Sequence, residues 1–252
     1  MFTLEDQVID RLVHLIMSSP YTIAFTGAGV SAESGIPTFR GKGGLWEKYR
    51  PEDLATPQAF ARDPLKVWRW YAWRMRKTWD ARPNPAHIVL ARLEERGLLA
   101  AVVTQNVDGL HQAAGSRNVI ELHGSMRRVR CTRCSYRSLL SSPPRDDELP
   151  PRCPKCGGLL RPDVVWFGEA LPENALSRAF AEARRARLVL VIGTSALVYP
   201  AAMVPEITVE SGGRLVVVNP EETPLDDRAE LVIRGKAGEV FSRLGEKLGI
   251  YP

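Results

Sequence analysis

Short apolar segments alternate with helical segments along this chain, and this alternation limits the possible folds more than any other feature. The predicted strands, rich in apolar and β-branched residues, are 21–26, 98–104, 188–192 and 215–218. The predicted amphipathic helices are 3–19, 85–96 and 173–186. Strands that are apolar on both faces occur in parallel sheets covered by helices on both sides. The sequence therefore predicts an α/β fold around a parallel sheet.

The first strand runs into a glycine-rich turn, Gly27-Ala28-Gly29-Val30-Ser31-Ala32, which has the spacing G-x-G-x-x-A. The glycines permit a tight turn and a close backbone approach, and Ala32 allows a helix to pack near the strand. The N-terminus of that helix would offer N–H groups to a pyrophosphate. A βα turn without a ligand is the alternative. The acid that dehydrogenases carry about 20 residues further on is missing, which disfavours an ordinary dehydrogenase.

All four cysteines lie in one pattern, Cys131-x2-Cys134-x18-Cys153-x2-Cys156. Two C-x2-C pairs at this separation are typical of tetrahedral zinc sites. Four thiolates leave no open coordination position, so one structural Zn²⁺ is predicted. A zinc ribbon that binds nucleic acid is the alternative. The clustered thiols, and acids where a signal peptide carries basic residues, predict a cytoplasmic protein.

The charge distribution limits the partners. The net charge is +5, with 27 Arg against 7 Lys, but the basic residues are spread along the chain without a long block. Direct nucleic-acid binding is therefore not predicted. No run of about 18 apolar residues occurs, so no membrane span is predicted either. A monomer is expected.

Polar residues follow the predicted strands, where open α/β sheets bind ligands. The segment 104–111 follows one strand, Gly193-Thr194-Ser195 another, and Asn219 a third. His123 follows a further predicted short strand, 120–122, and precedes Gly124, where a base can face a cleft. Ordinary turns and a structural histidine are the alternatives.

Together these motifs resemble those of the sirtuin family, the NAD-dependent protein deacylases. The resemblance covers most of the chain and keeps the family's order. The matching segments are 27–40, 104–108, 123–124, the four cysteines, 164–169, 193–195 and 219–220.

The resemblance implies a Rossmann-like large domain and a small domain made of a helical module and a zinc ribbon. The large domain would comprise 1–40, 83–126 and 163–252, and the small domain 41–82 and 127–162. NAD⁺, as co-substrate, and an extended acyl-lysine protein or peptide would meet in the cleft between them.

By the same resemblance, several segments bind the two substrates. The NAD⁺ contacts would be Gly27, Ala28, Gly29, Ala32, Phe39, Arg40, Gln105, Gly193, Thr194, Ser195, Asn219, Lys236 and Ala237. Ile36, Asn106 and Asp108 would form the nicotinamide pocket, with Asn106 counted among the catalytic residues. The segment that pairs with the substrate backbone would be Val165, Trp166, Phe167 and Gly168.

The implied chemistry is consistent with these residues. Nicotinamide leaves a pyridinium as a neutral molecule, and ribose C1′ then becomes oxocarbenium-like. Phe39 is expected to shield this carbon from water so that the acyl oxygen attacks it. His123 is expected to act as general base through the ribose hydroxyls. The products are nicotinamide, free lysine and O-acyl-ADP-ribose.

A finer resemblance concerns the acyl group. Tyr71 and Arg74 lie three residues apart in a helical segment and so share a face. They resemble the Tyr-x-x-Arg pair of sirtuins that accept succinyl- and malonyl-lysine, because a guanidinium binds a carboxylate with two hydrogen bonds. Ala55 would leave room for a longer acyl chain. A surface role for Arg74 is the alternative, and deacetylation is expected in either case.

Two other functions remain open at the level of sequence. An enzyme with the same NAD⁺ site can transfer ADP-ribose to proteins or hydrolyse NAD⁺, and the product distinguishes these reactions. A non-catalytic zinc ribbon that binds nucleic acid predicts salt-sensitive DNA binding without NAD⁺ turnover. His123 within a full set of NAD⁺ motifs argues against the second.

Overall fold

The computed structural model describes residues 4–39 and 43–250. The helices are α1 Leu4–Ser18, α2 Leu45–Lys48, α3 Pro51–Leu54, α4 Pro57–Arg62, α5 Pro64–Asp80, α6 Pro85–Glu95, α7 Leu110–Ala113, α8 Glu173–Arg185, α9 Met203–Glu210 and α10 Ala237–Leu248. The strands are β1 Thr22–Thr26, β2 Ala101–Thr104, β3 Val119–Glu121, β4 Gly124–Cys131, β5 Arg137–Leu139, β6 Leu160–Val164, β7 Leu188–Ile192, β8 Arg214–Val218 and β9 Leu231–Ile233. Short 3-10 helices cover Ala28–Ser34, Asp146–Glu148 and Asp226–Arg228. None of the described helices is long and apolar enough to span a membrane.

The larger sheet of the described residues has six parallel strands in the order β3-β2-β1-β7-β8-β9. The strand order reverses between β1 and β7, which is where open α/β sheets bind ligands. Strands β1 and β7 are buried along their whole length. One apolar cluster with α1, α6 and α10 covers one face, and another with α8 and α9 covers the other. The predicted α/β fold with a Rossmann-like sheet is confirmed.

Two glycine turns touch each other at the point where the strand order reverses. The Gly29 N–H donates to the Gly193 carbonyl (2.8 Å), and the Gly27 N–H donates to the Ile192 carbonyl (3.1 Å). A Cβ on Gly29 would lie 2.8 Å from the Cα of Gly193, and a Cβ on Gly193 would overlap the Val30 nitrogen. These glycines are required because the two backbones are in direct contact.

We expect Gly193→Ala to destabilise the protein by about 3 kcal/mol or more, because a left-handed backbone and a steric overlap add together. Gly97→Ala is the matched control, since Gly97 also has a positive φ (71°) but no atom within 4 Å of an added Cβ. Urea unfolding of both variants measures the difference. Equal losses of unfolding free energy would contradict the steric explanation.

One predicted element differs from the structure. The sequence predicts a helix after β1 whose N-terminal N–H groups bind a pyrophosphate, whereas the structure has a seven-residue 3-10 helix, Ala28–Ser34. It ends at Gly35, whose N–H donates back to Ala32 (3.0 Å). The Gly29 N–H is occupied by Gly193 and is not available to a ligand. The contact with the neighbouring turn, rather than a free helix end, therefore shapes this part of the site.

The smaller sheet is antiparallel, with the order β5-β4-β6. Helix α5 packs against it, and the buried Trp68 donates its Nε1–H to the Leu160 carbonyl (2.8 Å). A third apolar cluster combines residues from 45–75 with residues from 126–166. The two segments therefore share one core although they are separate in the sequence.

Candidate active site

A cleft of about 430 Å³ opens at the carboxyl ends of the parallel strands, beside α5 and β6. The two glycine turns form part of its wall. Every described residue predicted to contact NAD⁺ or the peptide lines this cleft, except Ile36 and Asp108. Ile36 instead lines a small adjoining cavity with Arg74 and Thr78. The predicted NAD⁺ contact Arg40 lies outside the described residues.

His123 faces the cleft from the junction of β3 and β4. Its Nδ1 lies 3.0 Å from the Gln105 carbonyl oxygen. Because a carbonyl only accepts, Nδ1 carries the proton and Nε2 keeps its lone pair. Burial lowers the pKa of His123 below its usual value, with the Gln105 bond acting in the opposite direction. The imidazole is therefore neutral at neutral pH, which is the form that a general base requires.

The Ser31 hydroxyl connects the polar residues behind the cleft. It donates to Asp108 Oδ2 (2.8 Å) and accepts from Asn106 Nδ2 (3.2 Å). His87 Nε2 lies 3.2 Å from the same oxygen. Burial raises the pKa of Asp108, although the Leu110 N–H and Ser31 hydrogen bonds oppose it. Ser31 thus orients the Asn106 amide at the cleft wall, while Asp108 is buried and does not line the cleft.

Tyr71 and Arg74 share one face of α5 and line the aromatic end of the cleft. The Arg74 guanidinium is buried, 4.7 Å from the ring centroids of Phe39 and Trp70. Among the residues that the structure describes, none forms a hydrogen bond or ion pair with it. Burial lowers the pKa of Arg74, and the charge of Asp108 opposes this only partly. A buried cation that no carboxylate of the described residues contacts directly is costly, so this end of the cleft suits an anionic group.

The segment 165–168 forms one side of the cleft. The Val165 N–H donates to the His123 carbonyl, and the Phe167 N–H donates to the Ala55 carbonyl, both at 2.9 Å. These donors are already used within the protein. A substrate strand that pairs with Val165 or Phe167 is therefore expected to donate to their carbonyls.

The four cysteines lie away from the cleft, at one end of the smaller sheet. Their sulfur atoms all lie within 4.8 Å of one another, with Cys131–Cys156 at 3.5 Å and Cys134–Cys153 at 3.7 Å. A tetrahedral zinc with Zn–S bonds of about 2.3 Å needs sulfur atoms about 3.8 Å apart. The tetrad therefore fits a structural zinc.

Several residues of the cleft are not predicted from the sequence. Trp46 and Trp70 stack on each other, with ring centroids 5.8 Å apart, and both line its aromatic end. Glu33 and Tyr199 also line the cleft. The aromatic-rich composition of 41–82 was a signal for the tryptophans, but composition does not show which side chains face a ligand.

The chain is similar in sequence and in structure to known proteins of one family. The model of the Sir2 family matches residues 27–200. An NAD-dependent protein deacylase of Pyrococcus furiosus is 59% identical over 246 residues, which covers 96% of this chain and 98% of that protein. The crystal structure of a Sir2 homolog–NAD complex is 56% identical, with a TM-score of 0.90 over 95% of this chain and 93% of the other. A structure of Sir2 with a p53 peptide and NAD⁺ is 41% identical, with a TM-score of 0.86 over 96% and 99%.

Proposed function

Since this chain belongs to the Sir2 family and is an NAD-dependent protein deacylase, we propose that it removes succinyl and malonyl groups as well as acetyl groups from lysine side chains. Its substrates are NAD⁺, an acylated-lysine protein or peptide, and one water molecule. The products are nicotinamide, free lysine and O-acyl-ADP-ribose. One observation carries the acidic-acyl part of the proposal, namely the buried Arg74 guanidinium without a hydrogen-bonding partner among the described residues.

We place NAD⁺ across the two touching glycine turns. Gly27, Gly29 and Gly193 support this, because all three line the cleft and carry no side chain. The backbone there is open to a pyrophosphate at close range. Asn219 lines the part of the cleft after β8, and we place the adenosine on that side. The nicotinamide then lies beside Asn106, which the Ser31 hydroxyl orients.

The reacting centre lies near His123 in this arrangement. NAD⁺ supplies a ribose carbon that becomes electrophilic as nicotinamide departs. The acyl oxygen bonds to this carbon as the bond to nicotinamide breaks. The Nε2 lone pair of His123 then accepts a proton from a ribose hydroxyl, so that the hydroxyl oxygen attacks the acyl carbon, and addition of one water molecule to that carbon releases the lysine amine. The ring of Phe39 lines the same cleft and limits the access of water, which would otherwise compete for the electrophile.

The acyl carboxylate is placed at the guanidinium of Arg74. A guanidinium offers parallel N–H donors that match two carboxylate oxygens. The rings of Phe39, Trp70 and Tyr71 surround Arg74 and exclude water, which strengthens the attraction between the two charges. An acetyl group leaves Arg74 unpaired but does not collide with it. Both acyl classes are therefore accepted, and the acidic class gains the ion pair.

We expect Arg74→Met to lower kcat/KM for a succinyl-lysine peptide by about 100-fold, because the carboxylate loses its buried partner. The loss for the matched acetyl-lysine peptide is expected to be much smaller. Mass spectrometry of both reactions, including the O-acyl-ADP-ribose formed, provides the measurement.

Arg69→Met is the matched control for this experiment. Arg69 lies on the same helix but is exposed, so its removal changes the same charge without touching the cleft. Equal losses with both peptides in Arg74→Met would show that Arg74 is structural. A wild-type protein that removes only acetyl groups would refute the acidic-acyl proposal.

We also propose the domain division 1–40, 83–126 and 163–252 against 41–82 and 127–162. Support comes from the third apolar cluster, which combines both segments of the smaller unit. The limits 127 and 162 fall inside β4 and β6, so a unit made of whole strands begins at Gly124 and ends at Val164. A cytoplasmic location is proposed as well, and it is supported by cysteines arranged as metal ligands rather than as disulfides.

A further inference from the structure

The oxygen of the Tyr71 hydroxyl accepts one hydrogen bond from within the protein. The Nε1–H of Trp166 donates to Tyr71 Oη (2.9 Å), and the bond is buried. Indole nitrogen can only donate, so the phenol must use a lone pair in this bond. Among the described residues, no other group hydrogen-bonds to Tyr71 Oη. The phenol proton therefore has no acceptor among the described residues, and Tyr71 lines the cleft.

The phenol of Tyr71 stays protonated at neutral pH. Burial raises the pKa of Tyr71, and the nearby Arg74 and the Trp166 bond only oppose that change. A buried donor without an acceptor is unfavourable. Tyr71 and Arg74 both line the aromatic end of the cleft, so one acyl carboxylate placed there satisfies both groups.

Trp166 itself is held on two sides. The Arg161 guanidinium lies 3.4 Å from the centroid of the indole ring. Arg161 is fixed in turn by two hydrogen bonds to Glu169 (2.6 and 2.9 Å) and one to the Val164 carbonyl (2.8 Å). Glu169 also accepts the backbone N–H of Trp166 (2.9 Å). The indole therefore has little freedom to turn away from Tyr71.

We infer that Trp166 is a positioning residue for acyl selectivity: its indole N–H occupies the acceptor side of the Tyr71 hydroxyl and leaves the phenol only as a donor to an acyl carboxylate beside Arg74. This role differs from pairing with the substrate backbone, which the sequence implied for Trp166. The inference rests on the proposed removal of acidic acyl groups. It adds that the preference for succinyl over acetyl groups depends on Trp166, although the indole of Trp166 need not touch the acyl group.

The test is a double-mutant cycle on the full-length protein with Trp166→Phe, Tyr71→Phe and the double variant. Succinyl- and acetyl-lysine peptides of one sequence are assayed on the same preparation, so that the ratio of the two kcat/KM values does not depend on the folded fraction. Trp166→Phe is expected to lower the succinyl-to-acetyl ratio about 5-fold, mainly through KM for the succinyl peptide. In the Tyr71→Phe background the same change is expected to alter the ratio by less than about 2-fold.

Trp68→Phe is the matched control, because it removes an equivalent buried indole hydrogen bond in the same core, to the Leu160 carbonyl instead of a cleft residue. Its succinyl-to-acetyl ratio is expected to equal that of the wild type. An unchanged ratio in Trp166→Phe, or an equal drop in the Tyr71→Phe background, overturns the inference while leaving desuccinylation established. A wild type that does not remove succinyl groups overturns the proposed function as well.

Discussion

The His123→Ala variant is expected to lose deacylation by a factor of about 10² to 10⁴, which is the usual contribution of a positioned general base. NAD⁺ binding is expected to persist, because the glycine turns and the strand ends that line the rest of the cleft are unchanged. Turnover is measured by mass spectrometry of the O-acyl-ADP-ribose product, and NAD⁺ affinity by titration calorimetry. Near-wild-type turnover would exclude His123 as the base.

His14→Ala is the control for this variant, since His14 is exposed on α1 and the change removes a histidine without altering the cleft. Its turnover and NAD⁺ affinity are expected to match those of the wild type. A loss of NAD⁺ binding in His123→Ala that equals the loss of turnover would mean that the imidazole holds the co-substrate rather than activating it.

The pH profile gives a separate test of the same assignment. A general base acts in its neutral form, so the rate falls as pH drops through its pKa. Burial lowers the pKa of His123 below the usual 6.5. The acidic limb of kcat/KM is therefore expected below pH 6.5, with a level rate through neutral pH. A limb above this value would assign the titration to another group.

Local spacing was sufficient to predict some parts of the molecule. Each C-x2-C pair places two thiols only three residues apart in the sequence. The structure brings the four sulfur atoms together as predicted. Continuous apolar strands with helices between them likewise specify a parallel sheet, because each strand must be covered on both faces. In both cases the pattern that makes the prediction can be seen within each segment of the chain separately.

Other features depend on contacts between distant segments, so they could not be predicted from the sequence. The proton position on His123 is set by the Gln105 carbonyl, 18 residues away. The turn after β1 forms a 3-10 helix whose Gly29 packs on Gly193, a contact that no local pattern indicates. Arg69, Arg74 and Arg76 look alike in sequence, and only tertiary packing shows that Arg74 is the buried one.

Zinc loss is expected to unfold the smaller sheet and to abolish deacylation, although the cysteines do not line the cleft. A structural zinc contributes about 10 kcal/mol or more to the folding of a small module, which is comparable with the stability of a whole domain. Two of the thiols, Cys131 and Cys153, are part of the third apolar cluster. That cluster also contains Tyr71 and Trp166, so its loss removes the acyl end of the cleft.

The experiment compares Cys131→Ser with Ser135→Ala, which changes an exposed side chain in the same loop and keeps all four thiols. Zinc content by mass spectrometry, Tm by calorimetry and kcat/KM are measured for each. One zinc per chain is expected in the wild type and in Ser135→Ala, and much less in Cys131→Ser, together with a lower Tm and lost turnover. Because the remaining thiolates cannot complete a tetrahedral site, added zinc should not restore the variant. A zinc-free protein with wild-type Tm and turnover would show that the tetrad does not stabilise the fold.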